Sequence, residues 1–143
     1  MKMKILICGL PGSGKTTLAE ALAKKLPKCV RLNADDIREK YNDWDFSPEA
    51  RYNQAYRMRY LSDGVIIANS NALVDFVCPG PDYVEIFEAD YIIWMNTIEE
   101  SRYEDTNKLY NPPNRFNYKF DKWYDPEEMA TDVYYDFLNF QIS

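Results

Sequence analysis

Residues Gly9-Leu-Pro-Gly-Ser-Gly14-Lys15-Thr16 carry the spacing GxxxxGK followed by Thr, once in the chain. Glycines at such positions let successive backbone N–H groups turn inward on an anion, and a lysine next to them reaches the outer phosphates of a nucleoside triphosphate. The chemistry expected here is phosphate binding. Gly9, Pro11, Gly12, Ser13, Gly14, Lys15, Thr16 and Thr17 are the expected ATP-binding residues, with Thr16 as a ligand of Mg²⁺. A helix beginning at Lys15 would add the positive end of its dipole. The motif lies between an apolar stretch, Lys4 to Cys8, and an amphipathic one, which is the context it requires.

The chain has no histidine, so proton chemistry falls to carboxylates. Asp35 and Asp36 follow an apolar run, and in an open parallel sheet the loops after the strands share the edge where ligand binds. An acid there can order metal-bound water or take a proton from an attacking hydroxyl. One of the two can instead cap the helix that follows, and Asp36 is the expected cap. Asp75 lies inside another apolar run, two residues before its expected end at Val77. A strand carboxylate there can reach the Mg²⁺ shell through water, as Asp35 can. Arg51 falls in the first turn of a long helical segment, on one stripe with Ala55, Met58, Ser62 and Val65. It either meets an anion in the site or pairs with Asp43, Asp45 or Glu49. Tyr52, Tyr56 and Tyr60 form an i, i+4 stripe read as packing. Arg102 is a cation able to close on the nucleotide from a lid at about 97–115, whereas Lys108 and Arg115 read as a solvated face.

These residues need a frame that brings them to one edge. Apolar runs and helical patterns alternate along the chain, the signature of βα units around a mainly parallel sheet. Strands are expected at Lys4–Cys8, Cys29–Leu32, Ala72–Val77, Ala89–Met95 and Phe116–Phe120. Helices are expected at Lys15–Leu26, Asn33–Tyr41, Ser47 or Pro48 to Ala68, Asn96 or Thr97 to Asp105, and Pro126–Phe140. The 143 residues form one domain, 1–143, large enough to bury about two-thirds of the unfolded surface. Met1 to Leu10 has two lysines and a short apolar run, but it leads into Pro-Gly and reads as a strand rather than a leader. No membrane association is expected. Cys8, Cys29 and Cys78 lack metal-ligand spacing and read as inert thiols of a protein in the reducing cytoplasm. A net charge of −6 argues against broad contact with nucleic acid.

Taken together, the motifs resemble those of the adenylylsulfate (APS) kinases, small P-loop kinases that phosphorylate the 3′-hydroxyl of adenylyl sulfate with ATP. The family's GLSGSGKTT corresponds to Gly9-Leu-Pro-Gly-Ser-Gly-Lys-Thr-Thr17, and its LDGDxxR to Leu32-Asn-Ala-Asp35-Asp36-Ile-Arg38. Its GFSxxDR corresponds to Asp45-Phe46-Ser47-Pro-Glu-Ala-Arg51, and its strand-end SP to Cys78-Pro79. Arg102 to Tyr110 resembles its RDxKGLY loosely. The resemblance implies a three-layer α/β P-loop fold with a five-stranded sheet in the order 2-3-1-4-5. It makes Asp35 the group that orients or deprotonates the acceptor hydroxyl, assigns Arg38 and Arg51 to the acceptor's anionic part, and gives Phe46 to its adenine. Asn33 and Ala34 stand in place of the family's Asp-Gly, Ala50 in place of an acid, and Gly80-Pro81 where the family has an arginine.

The expected activity is transfer of the γ-phosphoryl group of MgATP to a hydroxyl, with Lys15, Asp35 and Arg102 as the catalytic set. Adenylyl sulfate is the first acceptor. The alternatives are another hydroxyl, on a nucleoside, a sugar acid or a nucleic-acid 5′ end or modified base, and a nucleotide-binding switch. Homodimer formation is left open.

Overall fold

Five short apolar segments form the sheet because each is bounded by turn-forming residues and is too short for a buried helix. In the computed structural model, which describes residues 1–143, the elements run β1 (Lys4–Cys8), α1 (Lys15–Ala23), β2 (Cys29–Asn33), α2 (Ala34–Tyr41), α3 (Pro48–Ile67), β3 (Asn71–Asp75), α4 (Pro81–Phe87), β4 (Tyr91–Met95), α5 (Glu104–Leu109), β5 (Tyr118–Phe120) and α6 (Pro126–Ile142). The sheet order is β2-β3-β1-β4-β5, and every pairing is parallel. The order inferred from the resemblance is the order observed.

β1 is the central strand, and all five of its residues are buried. Its side chains alternate between two cores, as strand geometry requires. Ile5 and Ile7 join Leu18, Leu22, Met129, Val133 and Phe137 of α1 and α6. Leu6 and Cys8 join Ile37, Ala55, Met58, Val84 and Phe87 of α2, α3 and α4. Helices therefore cover both faces of the sheet. On α3 the expected inward stripe is observed: Ala55, Met58 and Ser62 are buried, with Arg51 and Val65 half-buried. The tyrosine stripe divides. Tyr52 stacks on Tyr83 of α4 at 4.8 Å between ring centroids, whereas Tyr56 and Tyr60 stack on each other on the outer face.

Several boundaries differ from the sequence-based expectation. β3 ends at Asp75, so Asp75 is its last residue rather than one two places from the end. α1 ends at Ala23, with Leu26 buried beyond it in a turn. α4 was not expected: Pro81 opens it and Tyr83, Val84 and Phe87 bury, but at seven residues it is too short to show a helical period. The helix expected from Asn96 or Thr97 to Asp105 begins instead at Glu104 and ends at Leu109. Asn96 and Thr97 are occupied elsewhere, Asn96 donating to Asp121 and Thr97 to the backbone carbonyl of Ser13.

Candidate active site

The loop from Gly9 to Gly14 turns sharply because three of its residues take positive φ, at 149° for Gly9, 84° for Gly12 and 98° for Gly14. At two of them glycine is also demanded by space. A Cβ on Gly9 would lie 2.6 Å from the Met95 carbonyl oxygen, and one on Gly14 would lie 2.2 Å from the Trp123 ring. Gly14 is the residue before α1 and makes no side-chain cap. The first-turn N–H groups of α1 are thus free to meet an anion.

Lys15 donates from Nζ to the Leu10 carbonyl at 3.0 Å, across its own loop. Burial lowers its pKa, and Asp75 and then Asp35 pull it back up. Thr16 donates from Oγ1 to Asp75 Oδ2 at 2.8 Å. Asp75 is 2% exposed, and its other oxygen, Oδ1, is buried with no hydrogen-bond partner. A buried carboxylate oxygen left bare is costly. Its place beside a threonine hydroxyl and a phosphate-type loop suits a hard divalent cation or its coordinated water. No cluster of three His, Cys, Asp or Glu side chains is present, so such a cation would draw its remaining ligands from phosphate oxygens and water, as Mg²⁺ commonly does. The residues fit Mg²⁺.

One cleft of about 1450 Å³ brings the remaining groups together. Asp35 lies exposed on the first turn of α2 and lines it, with Arg38, Phe46 and Arg51 also lining the cleft and Arg102 entering from the segment before α5. Arg38 is 5% exposed and donates to the carbonyls of Asp43 and Asp45 at 3.2 and 3.0 Å. Its guanidinium lies 4.3 Å from the Phe46 ring centroid, and that of Arg51 lies at 5.4 Å. Burial lowers the Arg38 pKa; Asp43 opposes the shift, while Arg51 and Arg57 reinforce it. Arg51 forms no ion pair with Asp43, Asp45 or Glu49, and donates instead to the Phe46 carbonyl at 2.9 Å. Asp43 pairs with Arg57 and Arg38. Arg51 therefore retains donors for an anion in the cleft.

The segment leading into α5 is built around Asn107, which accepts from the backbone and hydroxyl of Ser101 and donates to its carbonyl, each at 2.8 Å. Arg102 is exposed, and donates to the Tyr103 hydroxyl at 3.0 Å. It reaches no carboxylate. Three acids, Glu100, Glu104 and Asp105, line the same edge of the cleft.

One expectation about the acids changes. Asp36 does not cap α2: Asn33 is the cap, its Oδ1 accepting from the Asp36 backbone at 2.9 Å. Asparagine before a helix is itself a capping signal, but the two acids that follow it are equally good caps, so the sequence does not choose between them. The exposed Trp44 ring, which lines the same cleft, carries no local signal in the sequence. The same holds for Trp123 against Gly14, since no local signal joins a residue after β5 to the loop after β1. Cys8 and Cys78 are buried as expected, but Cys29 is only half-buried, and all three are free thiols.

Residues 5–75 match the family model described as an AAA domain. No curated protein sequence matches the chain. Among solved structures, the APS kinase of Mycobacterium tuberculosis in complex with AMPPNP and APS superposes with a TM-score of 0.78 at 16% identity, covering 95% of this chain and 97% of that one. Shikimate kinase from Aquifex aeolicus gives 0.69 at 12% identity, over 99% of both chains. A gluconokinase from Sinorhizobium meliloti gives 0.67 at 12% identity, over 96% and 92%. The fold is the one shared by these small P-loop kinases, and the resemblance to APS kinases fits at that level. No helix is long and apolar enough to cross a membrane.

Proposed function

We propose that the protein is an ATP-dependent kinase that transfers the γ-phosphoryl group of MgATP to a hydroxyl of a small molecule. The observation that carries this reading is the sharing of one cleft by two unlike walls. The loop with Lys15 and Thr16 suits polyphosphate, and the wall with Asp35, Arg38, Phe46 and Arg51 suits a second, flat and anionic substrate. A protein that only hydrolysed nucleotide would have no use for the second wall.

ATP would be held by Gly9, Pro11, Gly12, Ser13, Gly14, Lys15, Thr16 and Thr17. Lys15 would leave the Leu10 carbonyl for the outer phosphates, its burial strengthening the attraction. Thr16 would hold Mg²⁺ directly, with Asp75 and Asp35 reaching it through water; when bound, the ion would neutralise charge developing on the transferred group. Asp35 would orient or deprotonate the acceptor hydroxyl, and Arg102 would approach the phosphoryl group from the lid. Most of the acceleration is then positioning and charge stabilisation.

Adenylyl sulfate is the leading acceptor, through its 3′-hydroxyl. Phe46 with its two guanidiniums supports this, offering a stacking face and positive charge to an aromatic anion. Another hydroxyl acceptor is favoured by one observation: Gly80-Pro81, at the start of α4, stand where APS kinases have an arginine. A screen of MgATP with adenylyl sulfate, nucleosides, gluconate, shikimate and 5′-hydroxyl oligonucleotides, scored for ADP and phosphorylated product, separates the readings. Product from adenylyl sulfate is expected. Product from a different acceptor alone would replace that substrate, and nucleotide hydrolysis indifferent to every acceptor would overturn the kinase reading.

A further inference from the structure

Asn33 is the last residue of β2, and in the parallel register it lies opposite Asp75, the last residue of β3. Strand pairing alone thus sets the two side chains beside each other at the edge of the sheet. Both ends of the Asn33 amide are used. Nδ2 donates to Asp75 Oδ2 at 2.5 Å, with Thr16 Oγ1 at 3.4 Å, while Oδ1 accepts from the Asp36 backbone and so caps α2.

The consequence for Asp75 is asymmetric. Oδ2 receives two donors, from Thr16 and Asn33, whereas Oδ1 receives none and is buried. A carboxylate pinned through one oxygen cannot rotate freely, so its bare oxygen keeps a fixed direction. If Thr16 turned its hydroxyl lone pairs to a cation, its donation to Oδ2 would be given up, and Asn33 would be the remaining side chain holding Asp75 in place. The same amide also fixes the start of α2, the helix whose first turn carries Asp35. Asparagine alone among short side chains offers a donor and an acceptor in this geometry; aspartate could cap α2 but would repel Asp75.

We infer that Asn33 is a positioning residue that orients Asp75 toward a divalent cation and locks the acceptor-side helix to the metal side of the cleft through one amide. The inference rests on the proposed Mg²⁺ site of Thr16 and Asp75. Loss of an outer partner that orients a ligating group typically costs about 10- to 100-fold in metal affinity.

Two substitutions separate the halves of the amide. Asn33→Ser keeps a good helix cap but ends one bond short of Asp75, whereas Asn33→Ala removes both functions. Titration of ATP binding in EDTA and then against Mg²⁺ gives the readout, and it needs no acceptor. For Asn33→Ser the expected result is an unchanged melting temperature, ATP affinity in EDTA within about 2-fold, and a Mg²⁺ midpoint raised about 10-fold or more. Asn33→Ala should show the same Mg²⁺ defect together with a lower melting temperature. If Asn33→Ser keeps the wild-type Mg²⁺ midpoint while Asn33→Ala does not, Asn33 is only a cap and the inference is overturned. A wild-type protein whose ATP binding gains nothing from Mg²⁺ would instead overturn the metal site on which the inference stands.

Discussion

Lys15 sits partly buried, with Asp75 and Asp35 as the carboxylates that act on its charge. A hydrogen bond from a charged donor to phosphate contributes about 1.5–3 kcal/mol, so Lys15→Met should weaken ATP binding by roughly 10- to 150-fold, read by calorimetric titration. Asp35→Asn should act differently. It should leave ATP affinity near wild type and reduce kcat by about 10²- to 10⁴-fold, the range for loss of a general base; unchanged turnover would remove Asp35 from the chemistry. The phosphate loop was readable in the sequence because it is contiguous and each of its residue types has one reason to be there. Arg51 was not, since an arginine in a first turn serves an ion pair as readily as a ligand. That it pairs with no carboxylate became evident only where Asp43 was seen paired with Arg57 and Arg38, and Arg51 bonded to the Phe46 carbonyl. Asn33 was hidden for another reason: its role comes from register with Asp75, a pairing between residues far apart in sequence.

Helix α1 starts at a glycine in the left-handed region with an indole against it. Gly14→Ala meets both obstacles, and backbone strain alone should cost about 1–3 kcal/mol, seen as a fall of several degrees in melting temperature. The segment proposed as a lid is held by three hydrogen bonds between Ser101 and the Asn107 side chain. Asn107→Ala should leave global stability nearly unchanged while making residues 97–110 more susceptible to limited proteolysis and raising the KM for ATP. The elements that sequence periodicity defined well are the long ones. α3 was placed to within a residue at either end because Ser47-Pro48 supplies both a cap and a first-turn proline. α4 and α5, with seven and six residues, are held by tertiary contacts that a local pattern does not contain. Asn96 and Thr97, which look like helix caps, spend their side chains on Asp121, just beyond β5, and on the phosphate loop instead.

Across the molecule, the two cores meet at a sheet whose middle strand is inaccessible, and the thiols report on this. Burial pushes Cys8 up to about 12 and Cys78 well above its ordinary value, while Cys29 is raised less by partial burial. The thiolate is the reactive form, so in the native protein Cys29 should be alkylated first at neutral pH, with Cys8 and Cys78 modified only on unfolding; mass spectrometry of the labelled protein reads the order. The C-terminal helix is fastened to the sheet by the hydrogen bond from the Tyr91 hydroxyl to Asp136 at 2.6 Å, and the edge-on packing of Tyr91 with Phe137 and Phe140 seals it. The parallel pairing of the sheet was foreseeable from the βα alternation and its strand order from the resemblance to APS kinases, but which late residues return to the phosphate loop was not. Trp123 is one of these. Its ring rests on the hinge between the phosphate loop and α1, so a shift of that loop would change the indole's surroundings and its emission. With Trp44 and Trp94 replaced by Phe, the remaining indole becomes an optical indicator, and stopped-flow mixing with unlabelled ATP should let arrival and departure of the nucleotide be timed directly.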